Sequence, residues 1–222
     1  MYRIAHRGCA ARYPENTVRA ITASGFHLGV VEIDVRRCAT SELVVFHDER
    51  VDRLTNSTGL IRDYTLSELR KLTIEESHSI PTLQEVTATV SSLPWPVELQ
   101  VELKEKGLFA DARRVLDPIE NRVRYTSFDR GCLQSFSSEA SDAPYTYGIL
   151  VAKDQCEMLE FAVEFSCDSF HPSVTACRES DIAHQAAEKD FTVIAWGGTT
   201  REAVQHVADA GVDAVTIDDW QW

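Results

Sequence analysis

Ionisable side chains recur at the ends of short apolar segments in this 222-residue chain: His6, Arg7, Glu32, Asp34, His47, Glu102 and Lys104. Carboxylate oxygens are the ligands that Mg²⁺ and Ca²⁺ prefer. Histidine titrates near neutral pH and can accept or donate a proton, while arginine and lysine bind phosphate. If the fold brings these groups together, they have the chemistry to cleave a phosphodiester.

Three of these side chains are carboxylates, and they are the candidate metal ligands. Glu32 and Asp34 lie two residues apart in an apolar segment, so both point to the same face of a predicted strand. Glu102 belongs to residues 97–104, where apolar and polar residues alternate strictly. The carboxylates could instead form a buried ion-pair network with the arginine and the lysine of the set. Because three carboxylates repel one another and only two basic partners accompany them, we favour a divalent metal, Mg²⁺ or Ca²⁺.

The histidines and the basic residues suit a reacting phosphate. His6 and His47 could form an acid–base pair, whereas a histidine at the end of a first strand could equally be a solvated loop residue. Arg7 and Lys104 could hold a substrate phosphate beside the metal. Trp196 ends another predicted strand and could either pack against an apolar or glycerol portion of the substrate or close the core.

Strand and helix patterns alternate along the chain and indicate how these residues are positioned. The predicted strands are 3–6, 30–35, 43–48, 97–104, 122–128, 145–151, 169–171, 192–196 and 214–217. The predicted helices are 17–24 (capped by Asn16 or Thr17 and ended by Gly25), 66–72, 82–93, 108–120, 130–139, 155–165, 178–189 and 200–210.

The gap between the second and third strands is too short for a crossover helix, so we predict an antiparallel hairpin. This hairpin would return His47 to the level of Glu32 and Asp34. Counting it with the second strand leaves eight strands, which predicts an α/β fold, a (β/α)8 TIM barrel whose C-terminal rim carries the candidate residues. An open doubly wound sheet is the alternative, but neither a Gly-x-Gly-x-x-Gly loop nor a Walker loop is present.

Composition bounds the domain organisation and the partners. Residues 1–222 contain no evident linker and are expected to form one domain, with the polar residues 49–79 as a small insertion after the hairpin. The net charge of −13 disfavours nucleic acid and anionic membrane surfaces and leaves a small-molecule substrate as the expected partner. The six cysteines form no C-x-x-C pair, and no signal segment or long apolar stretch occurs. We therefore expect a cytoplasmic protein with reduced thiols; the sequence does not indicate its oligomeric state.

A set of ordered motifs spans nearly the whole chain: His6-Arg7-Gly8, Pro14-Glu15-Asn16-Thr17, Glu32-Ile33-Asp34-Val35, Val45-Phe46-His47-Asp48, Ile80-Pro81-Thr82-Leu83, Glu102-Leu103-Lys104, Ser127-Phe128, the Trp196 strand and Gly211-Val212-Asp213. In this order they resemble the glycerophosphodiester phosphodiesterases. The resemblance implies a TIM barrel that hydrolyses glycerophosphodiesters to glycerol 3-phosphate and an alcohol, by attack of water or through a cyclic phosphate. Phospholipase C- or D-like cleavage of lysolipids or inositol lipids, and a catalytically silent phosphate-binding barrel, are the alternatives.

The resemblance also implies a role for each matching residue. His6 and His47 are the general acid–base pair, Glu32, Asp34 and Glu102 bind the divalent metal, Arg7 and Lys104 hold the phosphate, and residues 49–79 cap the site. The chain departs from the family pattern at Trp196-Gly197-Gly198-Thr199 and Ile217-Asp218-Asp219-Trp220, while Cys9 could make activity sensitive to thiol reagents. Glu15 either reaches the site or lies in the first turn of the helix.

Overall fold

In the computed structural model of the protein, which describes residues 1–75, 77–139 and 145–222, nine strands form one sheet. The strands are β1 (Tyr2–Ala5), β2 (Val30–Arg37), β3 (Leu43–Val45), β4 (Glu98–Leu103), β5 (Val123–Ser127), β6 (Thr146–Val151), β7 (Ser169–Pro172), β8 (Thr192–Gly198) and β9 (Ala214–Ile217). All are parallel to their neighbours except β3, which runs antiparallel to β2.

The first strand closes the barrel. Ala5 of β1 pairs with Val31 of β2 on one side and with Ile217 of β9 on the other. Both edges of β1 are therefore occupied, and the eight parallel strands form a closed ring rather than an open sheet. This confirms the predicted (β/α)8 TIM barrel.

Helices cover the outside of the ring, and one short helix lies instead in the segment 49–79. They are α1 (Val18–Leu28), α2 (Leu66–Leu69), α3 (Leu83–Ser92), α4 (Phe109–Leu116), α5 (Arg130–Glu139), α6 (Gln155–Glu164), α7 (Val174–Glu179), α8 (Ile182–Ala187) and α9 (Arg201–Ala208). In β4, Leu99, Val101 and Leu103 belong to the main hydrophobic core, while the alternate residues Gln100 and Glu102 are also buried. The alternation of β4 therefore separates an apolar face from a polar one, as expected for a barrel strand.

The predicted hairpin is also present. Val45 of β3 pairs with Val35 of β2, and the backbone N–H of Phe46 donates to the carbonyl oxygen of Asp34 at 2.9 Å. The next residue, His47, is thereby held beside the second barrel strand, as the sequence predicted.

Predicted helix boundaries differ from the structure at four places, one of which is the helix predicted at 66–72, which ends at Leu69. Helix α1 passes through Gly25 and ends at Gly29, whose φ of 74° stops the helix. Gly25 serves packing instead, because a Cβ there would lie 2.9 Å from Cγ2 of Val97. The predicted helix 108–120 ends at Leu116 and continues as a 3₁₀ turn, and the single helix predicted at 178–189 is two short helices separated at Ser180.

Residues of the hairpin and of the segment 49–79 share a second hydrophobic core. It consists of Cys38, Val44, Phe46, Val51, Ile61, Leu69, Leu72, Ile74 and Ile80. The segment is therefore a packed appendage of the β2–β3 hairpin rather than part of the barrel wall. Among the residues that the structure describes, no helix has the length and apolar character needed to span a bilayer.

Candidate active site

A cavity of about 160 Å³ opens where the carboxyl ends of the barrel strands meet. It is lined by His6, Arg7, Glu32, His47, Gln100, Glu102, Lys104, Phe128, Leu150, Trp196 and Thr216. All the side chains selected from the sequence are in this lining except Asp34, which is 1% exposed and contacts Lys104. The barrel therefore brings together groups that lie up to 190 residues apart in the sequence.

The three carboxylates form a compact cluster. Glu32, Asp34 and Glu102 are all buried, and each offers an oxygen within 4.8 Å of the others. The ammonium of Lys104 lies 2.8 Å from Oδ1 of Asp34 and 2.5 Å from Oε1 of Glu102. Arg7 also contacts the cluster, with its Nε 3.4 Å from Oδ2 of Asp34 and its backbone N–H donating to Oε2 of Glu32 at 2.9 Å.

When all three carboxylates are ionised, the cluster carries three negative charges against the two positive charges of Arg7 and Lys104. Burial, reinforced by the charges of Asp34 and Glu102, raises the pKa of Glu32 to about 8. Burial also disfavours the Asp34 carboxylate, but Lys104 and Arg7 outweigh it and hold the pKa of Asp34 below its usual range. A buried, all-oxygen donor set with unbalanced negative charge fits a hard divalent cation.

His6 begins a tight turn directly after β1. Residues Arg7, Gly8 and Cys9 have φ values of 50°, 79° and 64°, all in the left-handed region that glycine alone adopts without strain. A Cβ on Gly8 would lie 2.6 Å from the Cβ of Ala20, so the turn packs directly on α1. This close packing fixes the backbone that directs His6 and Arg7 into the cavity.

Each site histidine has a carboxylate at Nδ1. The Nδ1 atom of His6 lies 2.7 Å from Oδ1 of Asp218, and that of His47 lies 2.6 Å from Oδ1 of Asp48. Burial alone would lower the pKa of His6, but the hydrogen bond to Asp218 and the charge of Glu32 raise it above the ordinary value. The pKa of His47 is lowered, chiefly by burial. The pKa of His6 therefore lies above the ordinary histidine value, and the pKa of His47 lies below it.

Two supporting residues were missed in the sequence. Asp218 stands at the end of the last strand, a position that could have indicated a role at the rim, but it was noted only as a departure from the family pattern. Asn16 was considered only as a helix cap, whereas Thr17 caps α1. The Asn16 amide donates to Oδ2 of Asp34 at 2.8 Å, and its carbonyl oxygen accepts from the Asp34 backbone N–H at 3.3 Å.

An aromatic wall forms one side of the cavity. The rings of Phe128 and Trp196 meet edge to face with their centroids 5.4 Å apart, and the Trp196 indole N–H donates to the carbonyl oxygen of Val151 at 3.2 Å. Phe128 remains 41% exposed. The sequence selected Trp196 but not Phe128, although Phe128 also follows a barrel strand.

Two further residues, His171 of β7 and Cys9, lie away from the cavity lining. His171 is fully buried in the barrel, where its Nε2 lies 2.8 Å from Oγ of Ser169. Cys9 is likewise inaccessible, and burial raises the pKa of its thiol to about 11. Glu15 does reach the site, since it accepts a hydrogen bond of 3.0 Å from Nη1 of Arg7.

Comparison with known proteins identifies the family to which this chain belongs. The model of the Glycerophosphoryl diester phosphodiesterase family matches residues 6–221. The chain belongs to this family. It is 28% identical to the glycerophosphodiester phosphodiesterase of Caldanaerobacter subterraneus subsp. tengcongensis, over 97% of this chain and 93% of the relative. It is 37% identical to the probable glycerophosphodiester phosphodiesterase 1 of Mycobacterium tuberculosis, over 94% of this chain and 86% of the relative.

Comparison with solved structures supports the same family assignment. A phosphodiesterase of Oleispira antarctica, determined in complex with the product sn-glycerol-3-phosphate, superposes with a TM-score of 0.88 at 26% identity. The superposition covers 98% of this chain and 93% of that one. The resemblance found in the sequence motifs is thus confirmed, and the chain is a phosphodiesterase that hydrolyses glycerophosphodiesters.

Proposed function

We propose that the cavity converts a glycerophosphodiester to glycerol 3-phosphate and an alcohol, with a divalent metal held by Glu32, Asp34 and Glu102. The cluster of these buried carboxylates, two of which line the cavity, carries this proposal. Mg²⁺ and Ca²⁺ both suit the all-oxygen donor set. When bound, such an ion would stabilise negative charge on the phosphoryl oxygens.

The basic residues would hold the substrate phosphate. Arg7 and Lys104 both line the cavity and both already contact Asp34, so they lie beside the candidate metal ligands. A planar guanidinium can bind two phosphate oxygens at once, while an ammonium acts as a point charge. The wall of Trp196 and Phe128 would then pack against the carbon skeleton of the substrate.

The two histidines would move the protons of the reaction. One ring accepts the proton of the attacking hydroxyl, and the other gives a proton to the departing alcohol oxygen. With Asp218 and Asp48 bound at Nδ1, each ring keeps Nε2 for the substrate. Water and the 2-hydroxyl of the glycerol are both compatible with this pair, and trapping a cyclic glycerol phosphate in a single turnover would identify the second route.

The role of the metal can be tested in two ways, by turnover and by the effect of metal ions on the melting temperature. Release of glycerol 3-phosphate from glycerophosphocholine should stop in EDTA and return with Mg²⁺ or Ca²⁺. The same ions should raise the melting temperature of the wild-type protein, since a ligand at 100 times its Kd stabilises a fold by about 2.7 kcal/mol. Glu32→Gln should lose both responses. Full turnover in EDTA would contradict the metal role.

One observation favours a second substrate class. Phe128 is exposed beside Trp196 at the cavity, and this apolar wall could accept an acyl chain of a lysolipid. Comparing kcat/KM for lysophosphatidylcholine with that for glycerophosphocholine separates the two. Preference for the lysolipid, lost in Phe128→Ser, would favour the phospholipase-like activity.

The remaining predictions concern the whole chain. We propose that residues 1–222 form one catalytic domain and that the segment 49–79 caps its site, a view supported by contacts of Arg53 with Glu15 and Asp48. The cytoplasmic location remains a prediction from the sequence. So does the expectation that the chain binds no nucleic acid.

A further inference from the structure

One arginine of the segment 49–79 reaches back to the barrel. Arg53 donates from Nε to Oδ2 of Asp48 at 2.7 Å and from Nη1 to Oε2 of Glu15 at 2.9 Å. Its Nη2 lies between the two carboxylates, 2.8 Å from Oε1 of Glu15 and 3.1 Å from Oδ1 of Asp48. A single guanidinium thus bridges two carboxylates with four hydrogen bonds.

Each of these carboxylates holds a residue of the cavity. Asp48 contacts Nδ1 of His47 at 2.6 Å, and Glu15 accepts from Nη1 of Arg7 at 3.0 Å. A continuous chain of charge-assisted hydrogen bonds therefore runs from Arg7 through Arg53 to His47. Such bonds are stronger and more directional than neutral ones, because at least one partner is ionised.

The geometry differs from that of an ordinary surface ion pair. The Glu15 and Asp48 side chains are only 10% and 25% exposed, although Arg53 itself is 47% exposed. Without the guanidinium these partly buried carboxylates would lose the cation that joins them. Lysine cannot replace it fully, since an ammonium lacks the planar fork that addresses two carboxylates.

The segment is built to present Arg53 firmly. Two residues earlier, Val51 is fully buried in the second core, and its backbone N–H donates to the carbonyl oxygen of Gly59 at 3.0 Å. Two residues later, the hydroxyl of Thr55 donates to the carbonyl oxygen of Val51 at 2.9 Å. Arg53 thus projects from a closed turn whose base is anchored by packing and hydrogen bonds.

We propose that Arg53 is a positioning residue of the phosphodiesterase reaction, which orients His47 through Asp48 and Arg7 through Glu15. The inference rests on the roles of His47 and Arg7 given under the proposed function. It assigns the segment 49–79 a purpose beyond covering the site: this segment supplies the guanidinium that fixes two functional groups relative to each other.

Arg53→Ala should lower kcat/KM by about a hundredfold, the cost of a displacement of roughly 1 Å at a catalytic group. Asp48 contacts His47 and Glu15 contacts Arg7, so removing the two contacts separately should affect kcat and KM differently. Asp48→Asn should act chiefly on kcat, and Glu15→Gln chiefly on KM, whereas Arg53→Ala should change both. A purely structural role would not produce this division.

The matched control is Arg50→Ala. Arg50 lies on the same segment, is 54% exposed and pairs with Asp52, outside the cavity lining. We expect its kinetic constants to equal those of the wild type. Arg53→Lys should be intermediate, because it keeps the charge but cannot bridge both carboxylates. The melting temperature of every variant is measured alongside, and Arg53→Lys carries the test if Arg53→Ala does not fold.

In addition, adding Asp48→Asn to Arg53→Ala should lower kcat less than the same change lowers it in the wild type, because the two residues act in one network. Wild-type kinetics in a folded Arg53 variant, or an equal loss in Arg50→Ala, would overturn the proposal. Failure of the wild-type protein to hydrolyse glycerophosphodiesters, or full activity of His47→Ala, would instead contradict the proposed function and is measured first.

Discussion

The cavity has two histidine corners that are chemically alike and structurally different. In the first, His6 bonds to Asp218, 212 residues away, across the pairing of β1 with β9. In the second, His47 bonds to the adjacent Asp48 at the end of the hairpin arm, outside the barrel wall. The first corner is made by closing the barrel, and the second by an appendage that Arg53 ties back.

The difference shows in what each histidine depends on. The imidazole of His6 is oriented by the barrel itself, so its geometry is as stable as the fold. The imidazole of His47 is oriented by Asp48, the next residue in the chain. The backbone carbonyl oxygen of His47 accepts a 2.9 Å hydrogen bond from Nε of Arg36. Peripheral changes should therefore reach the second corner while leaving the first intact.

The strongest test removes each imidazole. His6→Ala and His47→Ala should each lower kcat by about 10²- to 10⁴-fold, the usual contribution of a positioned acid or base. His206→Ala serves as the control, because His206 is exposed on α9, where its Nδ1 lies 2.9 Å from the carbonyl oxygen of Glu202. Steady-state kinetics with glycerophosphocholine decide, and full activity in either site variant would remove that corner from the reaction.

The next test removes the orienting carboxylates. Asp218→Asn should lower kcat by about 10- to 100-fold, part of what the histidine itself contributes. Asp48→Asn should cost less, because the backbone of His47 keeps its contact with Arg36. The reverse order of the two losses would show that the appendage, rather than the barrel, provides the critical orientation.

A third test concerns Asp34, one of the three proposed metal ligands. Asn16→Ala should weaken metal binding by about 10- to 100-fold, because the amide that holds the Asp34 carboxylate is lost. The expected readout is a higher midpoint in a titration with Mg²⁺ or Ca²⁺, followed by melting temperature. Ser24→Ala, which removes a hydrogen bond to the carbonyl oxygen of Gly8 in the same region, is the comparison and should leave the midpoint unchanged.

A third histidine, without any carboxylate partner among the described contacts, extends the comparison to pH. Burial and the charge of Arg124 lower the pKa of His171 well below the ordinary value of 6.5. The unfolded chain therefore binds a proton at this residue that the folded chain excludes, so the contribution of His171 to stability should fall by about 1.4 kcal/mol per pH unit below pH 6.5. His171→Gln should flatten this dependence between pH 7 and pH 5 in denaturant titrations.

The smallest expected effect is on thiol chemistry. Of the six cysteines, Cys156 is exposed and the other five are buried. A maleimide should therefore modify one thiol in the native protein and leave kcat unchanged, while the denatured chain should react at all six. Rapid labelling of Cys9 with loss of activity would show that the turn of the first corner opens in solution.

The sequence predicted the barrel and most of the cavity because both follow from local patterns. The alternation in β4 and the short gap before Leu43 are visible without any tertiary information. Candidate residues at strand ends converge because parallel strands of a barrel end at one rim.

What the sequence did not show depends on long-range contacts. The partners of Asp218, Asn16 and Arg53 lie on other elements, so no local pattern marks them. The prediction for Gly25 is wrong for the same reason, since its role is set by contact with Val97, the residue directly before β4. Local rules for glycine predict a helix end, and only the packing partner shows why the helix continues.

The bond between His6 and Asp218 has a consequence for folding kinetics. The two residues come from the first and last strands of the barrel, and contacts so distant in sequence form late in folding. An oriented His6 therefore requires that β9 has docked against β1. The rate at which hydrolytic activity returns after dilution from denaturant should then report the rate of barrel closure. This recovery should lag behind the return of helical circular dichroism.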